Sequence, residues 1–115
     1  MIPDDMIAAA RREPYIHLRK KDEHLRMPIL WGELVVGFCH PHETPNGFRL
    51  GPIFVMPLYR GCGFTTKAYE TYAKGKTCIA YIHHGNIGSE KAHAAAGFVK
   101  LRKGKGGWTW IRRTS

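Results

Sequence analysis

Short apolar blocks alternate with glycine, proline and asparagine breaks along most of this chain. Residues 3–13 predict a helix. Pro3 suits a first turn, Asp4 and Asp5 favour the positive N-terminal end, and Ala8, Ala9 and Ala10 are strong helix formers. Arg11 and Arg12 sit where the dipole favours cations, and Pro14 closes the element. Residues 15–26 are polar and predict no definite element. Residues 28–31 and 34–39 predict two strands joined as a hairpin at Gly32 and Glu33. Residues 41–47, with two prolines and Asn46-Gly47, predict a loop. Residues 48–56 predict a third strand, apolar on both faces and therefore buried, ending at Pro57.

Residues 58–65 contain Gly61 and Gly63 and lead into a helix over 66–74, with Gly75 as its C-terminal cap. Residues 77–83 carry alternating and β-branched character and predict a strand; 85–88 predict a turn. Ser89 is a good N-cap for a short helix over 90–96, stopped by Gly97. Residues 98–102 and 108–112 predict a last hairpin around the loop 103–107. The order is helix, three strands, helix, strand, helix, two strands. Such interleaving predicts an α/β fold with one mixed sheet flanked by helices.

The length of 115 residues fits one domain. Hydrophobic residues make up 43% and charged residues 23%, near the globular average, which argues against extended disorder. No apolar run approaches the roughly 20 residues of a membrane span, and the first residues lack the pattern of a signal peptide. The three cysteines, Cys39, Cys62 and Cys78, form no paired framework. The expected address is the cytosol, with no membrane partner. Cys39-His40-Pro41-His42, with His83 and His84, invites a zinc hypothesis. One crowded pair and one adjacent His-His do not match structural zinc spacing, so no metal is expected.

The net charge of +9 implies an anionic partner, such as nucleic acid, an acidic protein or a polyphosphate cofactor. No acid follows Glu90. Most of these cations, taken singly, are solvated surface residues.

The segment that changes the picture runs from Val55 to Thr65: strand end, glycine loop, helix start. Successive backbone N–H groups and a helix N-terminus make an anion cradle. Glycine lets backbone approach a phosphate without a Cβ in the way. Arg60 supplies a charge-assisted contact at the rim. The dinucleotide fingerprint has different spacing, and the Walker loop needs Gly-Lys-Ser/Thr where this chain has Gly63-Phe64-Thr65.

With Val55, Pro57, Arg60, Gly61 and Gly63 in place, the segment resembles the coenzyme A signature of the GCN5-related N-acetyltransferases (GNAT). Thr65 departs from that family's glycine or alanine. A second family signature follows at the right distance in Asn86, Ser89, Gly97 and Phe98, with His93 where the family has tyrosine. The resemblance covers about residues 28–113.

The resemblance implies a GNAT-like, mostly antiparallel mixed central sheet with splayed central strands. One domain would span 1–115, with an abbreviated N-terminal helical region at 1–27 and a cofactor-binding core at 28–113. It implies an N-acetyltransferase that moves acetyl from acetyl-CoA, its cosubstrate, to a primary amine. Pantetheine would bond to backbone at Phe54, Val55 and Met56. Arg60, Gly61, Cys62, Gly63, Phe64 and Thr65 would take the pyrophosphate. Asn86 would either bond the pantetheine or cap its turn. Cys62 reads as a variable loop position.

His93 would replace the tyrosine that protonates the leaving thiolate, or else be a helix residue without that role. His83 and His84 are base candidates at the end of the splayed strand; His40, His42 and Glu43 are others, and an amine deprotonated in bulk needs none. Tyr69, Tyr72 and Phe64 have helical spacing and are expected in the core. The short N-terminal region would leave an open acceptor site, suited to a protein lysine or N-terminus. A homodimer is also open to such a chain. Two other readings stand beside the enzyme. One is a basic nucleic-acid-binding module, using Lys100, Lys103 and Lys105 near Trp108 and Trp110, although no recognised nucleic-acid motif is present. The other is a coenzyme A-binding protein without catalysis.

Overall fold

The structure, a computed structural model, describes residues 1–114. Three helices, α1 (Asp4–Arg11), α2 (Phe64–Tyr72) and α3 (Ile87–Ala95), pack with eight strands. The strands are β1 (Met27–Trp31), β2 (Leu34–Cys39), β3 (His42–Thr44), β4 (Gly47–Arg49), β5 (Phe54–Val55), β6 (Cys78–His83), β7 (Val99–Lys103) and β8 (Gly107–Arg112). They form two sheets, ordered β1-β2-β5 and β3-β4-β6-β8-β7. Every pairing is antiparallel except that of β4 with β6. The chain is thus an α/β protein with two mostly antiparallel sheets.

The expected single sheet and the expected continuous strand over 48–56 are both corrected. Residues 50–53 interrupt that strand. Pro52 has no N–H to offer a ladder, and Leu50 turns fully inward. Before the break, Phe48 faces Cys78 of β6; after it, Phe54 and Val55 pair with Phe38 and Gly37 of β2. The segment therefore starts in one sheet and ends in the other. Residues 41–47 are likewise a hairpin rather than a loop. Thr44 Oγ1 donates to the Gly47 carbonyl at 2.6 Å and accepts the Asn46 N–H at 3.3 Å, closing the turn despite its prolines.

Two clusters hold the fold. Ile29, Val36, Leu50, Tyr69, Ile82, Phe98 and Trp110 belong to the core shared by the two sheets, α2 and α3. Met6 and Ala10 of α1 pack on Phe38 and Phe54, with Ile16 and Met56 alongside. Burial of these side chains supplies most of the driving force, about 1.5–3 kcal/mol for each large residue. Tyr69 is buried, while Tyr72 and Phe64 are half-buried against the first cluster, as their spacing predicts. Tyr72 donates its hydroxyl to the Pro28 carbonyl and Lys67 donates to the Leu30 carbonyl, fastening α2 to β1. None of the helices among the described residues is long and apolar enough to cross a membrane.

Candidate functional site

A cavity of about 410 Å³ opens between β5 and the loop after it, the N-terminal part of α2, α3, and residues 13–16. Its size lies within the range of small-molecule sites. Two helices begin on its walls.

The α2 wall is a backbone surface. Residues Pro57–Tyr59 make one 3₁₀ turn, then Gly61 and Gly63 take φ of +76° and +83°. That left-handed geometry favours glycine. A Cβ at either position would meet nothing within 4 Å, so the space before them is open. Among the described residues, no backbone N–H from Gly61 to Thr66 donates to a protein acceptor. The first internal bond of α2 runs from Lys67 N–H to the Gly63 carbonyl at 3.0 Å. No acidic side chain sits in the first turn, and no side chain caps it. Free N–H groups converging at a helix N-terminus bind anions, and phosphate in particular.

The α3 wall is closed by its own side chains. Asn86, not the expected Ser89, is the N-cap: its Oδ1 accepts the Ser89 N–H at 3.3 Å. The helix starts three residues earlier than its pattern suggests, because an asparagine cap bonds the third residue on. His93, one turn later, is buried with both ring nitrogens held. Nδ1 lies 2.9 Å from the Ser89 carbonyl, which can only accept, so Nδ1 carries the hydrogen. Nε2, 2.8 Å from the Tyr69 hydroxyl, is then the acceptor of that O–H. Burial holds the His93 pKa below its ordinary value, with the Ser89 bond opposing more weakly. Burial pushes the Tyr69 phenol upward. Neutral His93 thus bridges Tyr69 and Ser89. A proton at Nε2 would reverse that bond, with Nε2–H donating to the Tyr69 oxygen.

At the mouth, Arg60 folds back. Its Nε donates to the Val55 carbonyl at 2.8 Å, a terminal nitrogen pairs with Glu13, and the guanidinium lies 5.5 Å from the Phe54 ring centre. Tyr15 stacks on His83 with ring centres 5.6 Å apart.

Of the residues singled out in the sequence, Phe54, Val55, Arg60, Gly61, Gly63, Phe64, Thr65, Asn86 and His93 line this one cavity. Met56 and Cys62 do not reach its wall. The Met56 N–H is taken by the Val36 carbonyl at 2.9 Å. Cys62 points to solvent. His83 is held beside the cavity by Tyr15, and His84 is exposed with its N–H on the Gly106 carbonyl. His40 and His42 stack on each other at 4.4 Å beside a second, smaller cavity, and Glu43 is exposed on β3 near Lys76. Among the described residues, no three His, Cys, Asp or Glu side chains form a group able to hold a metal. Trp110 is buried, and Lys100 Nζ lies 5.0 and 5.7 Å from the Trp108 and Trp110 ring centres. The sequence reading missed Glu13, Tyr15 and Ile16, which line the cavity from the N-terminal segment. Nothing in their local pattern marks them; only the fold brings them there.

No family model matches the chain, and no curated protein matches it. Among solved structures, its fold is similar to the crystal structure of PH1933 from Pyrococcus horikoshii OT3, with a TM-score of 0.54 and 17% identity. That similarity covers 75% of this chain and 62% of the other, so the chain spans less than two thirds of that protein's length. At such identity the likeness is one of fold alone.

Proposed function

We propose that the chain is an acetyl-CoA-dependent N-acetyltransferase acting on a primary amine. One observation carries the reading. Residues of the two coenzyme A-like signatures, far apart in sequence, line one cavity, and its α2 wall carries the unpaired N–H groups of Gly61, Gly63, Phe64, Thr65 and Thr66. This wall suits the pyrophosphate of coenzyme A: its donors are unspent and Gly61 and Gly63 leave room before them. The apolar surface of Ile53 and Phe54 suits pantetheine.

Acetyl-coenzyme A supplies the thioester carbon that the amine nitrogen attacks; the C–N bond forms as the C–S bond breaks. Half-buried Ser89 lines the cavity and its Oγ lies 3.3 Å from His93 Nδ1. It offers a hydroxyl that would donate a hydrogen bond to the departing thiolate while the thiolate takes its proton from water, and His93 is the group that orients it. The nitrogen's own proton leaves to water through the open mouth.

The deciding measurement is calorimetric titration with coenzyme A, then thiol release from acetyl-coenzyme A against peptides, polyamines and aminoglycosides. Absence of binding at millimolar coenzyme A rejects the proposal. A second reading, a coenzyme A-binding protein without transferase activity, is favoured by one fact: both ring nitrogens of His93 are already engaged. Binding without thiol release on any acceptor would select it.

A further inference from the structure

Glu13 is the one carboxylate lining the cavity among the described residues, in a chain with 18 cationic Lys and Arg against 9 acids. It stands at the end of the N-terminal helical segment, 47 positions from Arg60 in sequence, and its Oε1 takes the Arg60 guanidinium. The same guanidinium also holds the Val55 carbonyl and covers the Phe54 ring. Arg60 is therefore folded across part of the cavity, kept there by Glu13. The side chains are about half and a third exposed, 47% and 30%, so the pair is in contact with solvent and exchangeable.

Two demands meet at this pair. A phosphate anion arriving at the Gly61 and Gly63 N–H groups competes with Glu13 for the Arg60 guanidinium, because both are oxygen anions suited to the same fork. An amine acceptor arrives as an ammonium ion, and the other charged groups on the cavity wall, Arg60 and Lys91, repel it. It needs a carboxylate, and only Glu13 is there.

We propose, resting on the transferase reading above, that Glu13 is the acceptor's ammonium site and that it is released for this role when a phosphate group takes Arg60. One residue then links the two substrates. Before phosphate binds, Glu13 is spent on Arg60; afterwards it faces the cavity free. Tyr15 and Ile16, on the same wall, would flank the ammonium with an aromatic ring and an apolar side chain. The ligand class that fits is a primary aliphatic ammonium on an unbranched stem, with its anionic partner bound first.

The test uses calorimetry on the full chain and two variants, Glu13→Gln and Arg60→Gln. Inorganic pyrophosphate is the first probe. Glu13→Gln should bind it about two- to fivefold more tightly than the natural chain, the span expected for removing a partly exposed competing ion pair. In the Arg60→Gln background the same change should have no effect, since the two act as one unit. Unchanged or weaker pyrophosphate binding by Glu13→Gln would overturn the exchange.

The second probe is coenzyme A titrated with millimolar n-butylammonium chloride or with potassium chloride at equal ionic strength. The ammonium should tighten coenzyme A binding in the natural chain and leave Glu13→Gln unaffected, because coupling is reciprocal. Equal coenzyme A affinity with both salts in the natural chain would overturn the ammonium site. Failure of coenzyme A itself to bind would instead remove the transferase reading, and the ammonium site with it, while the pyrophosphate result would still decide the exchange.

Discussion

Helices α2 and α3 both begin at the wall of the same cavity, and they begin differently. α2 is entered through glycines with positive φ and leaves its first N–H groups unpaired. α3 is entered through Asn86, whose side chain takes the Ser89 N–H, while His93 takes the Ser89 carbonyl from the next turn. Unpaired donors lower stability and create binding capacity; paired ones do the reverse. The α2 wall keeps donors free. The α3 wall has its first N–H groups paired except that of Gly88, among the described residues, and what it contributes is fixed position.

The largest effect should come from Gly63→Asp. It places a negative charge among the unpaired donors that the proposed phosphate would use, and like charges in a binding site cost several kcal/mol. Coenzyme A affinity measured by calorimetry should fall by about a hundredfold or more. Gly63→Asn has nearly the same shape and tolerates positive φ better than most residues, so it should lose far less. Equal losses in the two variants would mean that geometry, not charge, governs the α2 wall.

The converse change is His93→Phe. It keeps a ring and leaves the Tyr69 hydroxyl buried without an acceptor, which costs about 1–3 kcal/mol. Urea unfolding should show that loss, with coenzyme A affinity little altered. If stability held, the bridge between Tyr69 and Ser89 would not be what fixes this wall. The same histidine sets a pH signature. Its folded pKa lies below the ordinary 6.5, because burial disfavours the charged ring. The unfolded chain therefore binds the proton first as pH falls. The contribution is fully present above about 6.5 and is lost progressively below it. Unfolding curves between pH 8 and pH 5 (roughly the titration range of histidine) should show this slope and a shallower one in His93→Phe. His40, held low chiefly by burial and then by His42, contributes a slope of the same sign.

Asn86→Ala tests the cap alone. Loss of an asparagine N-cap costs about 0.5–2 kcal/mol, and it should appear in stability rather than in pyrophosphate affinity. The smallest effect concerns Cys62 on the α2 side. It is exposed, whereas Cys39 and Cys78 are buried, Cys39 with its thiol pushed up to about 12 by burial. A maleimide should label Cys62 alone in the folded chain, and coenzyme A should slow that labelling modestly. Rapid labelling of all three would show that the core opens readily.

Much of the α2 wall was legible because its chemistry is local. Glycines, a following helix and an arginine stand within a few residues of one another, and backbone geometry follows from them. The α3 wall was read less well. Ser89 and Asn86 are both good caps, and sequence alone does not choose between them. Tyr69 as the partner of His93 lies 24 positions away, and Glu13 as the partner of Arg60 lies 47 away. Such pairs are products of tertiary packing and leave no mark on local periodicity. In the fold, both final hairpin strands and the first hairpin stand close to their expected positions, since alternation fixes register. The break in 48–56 was missed because an apolar run reads the same whether it stays in one sheet or crosses between two.

The ties from α2 to β1 bear on a different property. β1 lies at one end of its sheet, and the exposed side of such a strand is where a foreign strand adds on. Here two of its carbonyls are spoken for: Tyr72 takes that of Pro28, and Lys67 takes that of Leu30. Pro28 itself has no N–H to give. A neighbouring molecule that tried to extend this sheet would find the carbonyls filled and one donor missing. Fraying of the last turn of α2 would uncover the Pro28 carbonyl and loss of the whole helix both, so the tendency of this protein to aggregate should follow the integrity of that helix more closely than the total amount of apolar surface it exposes.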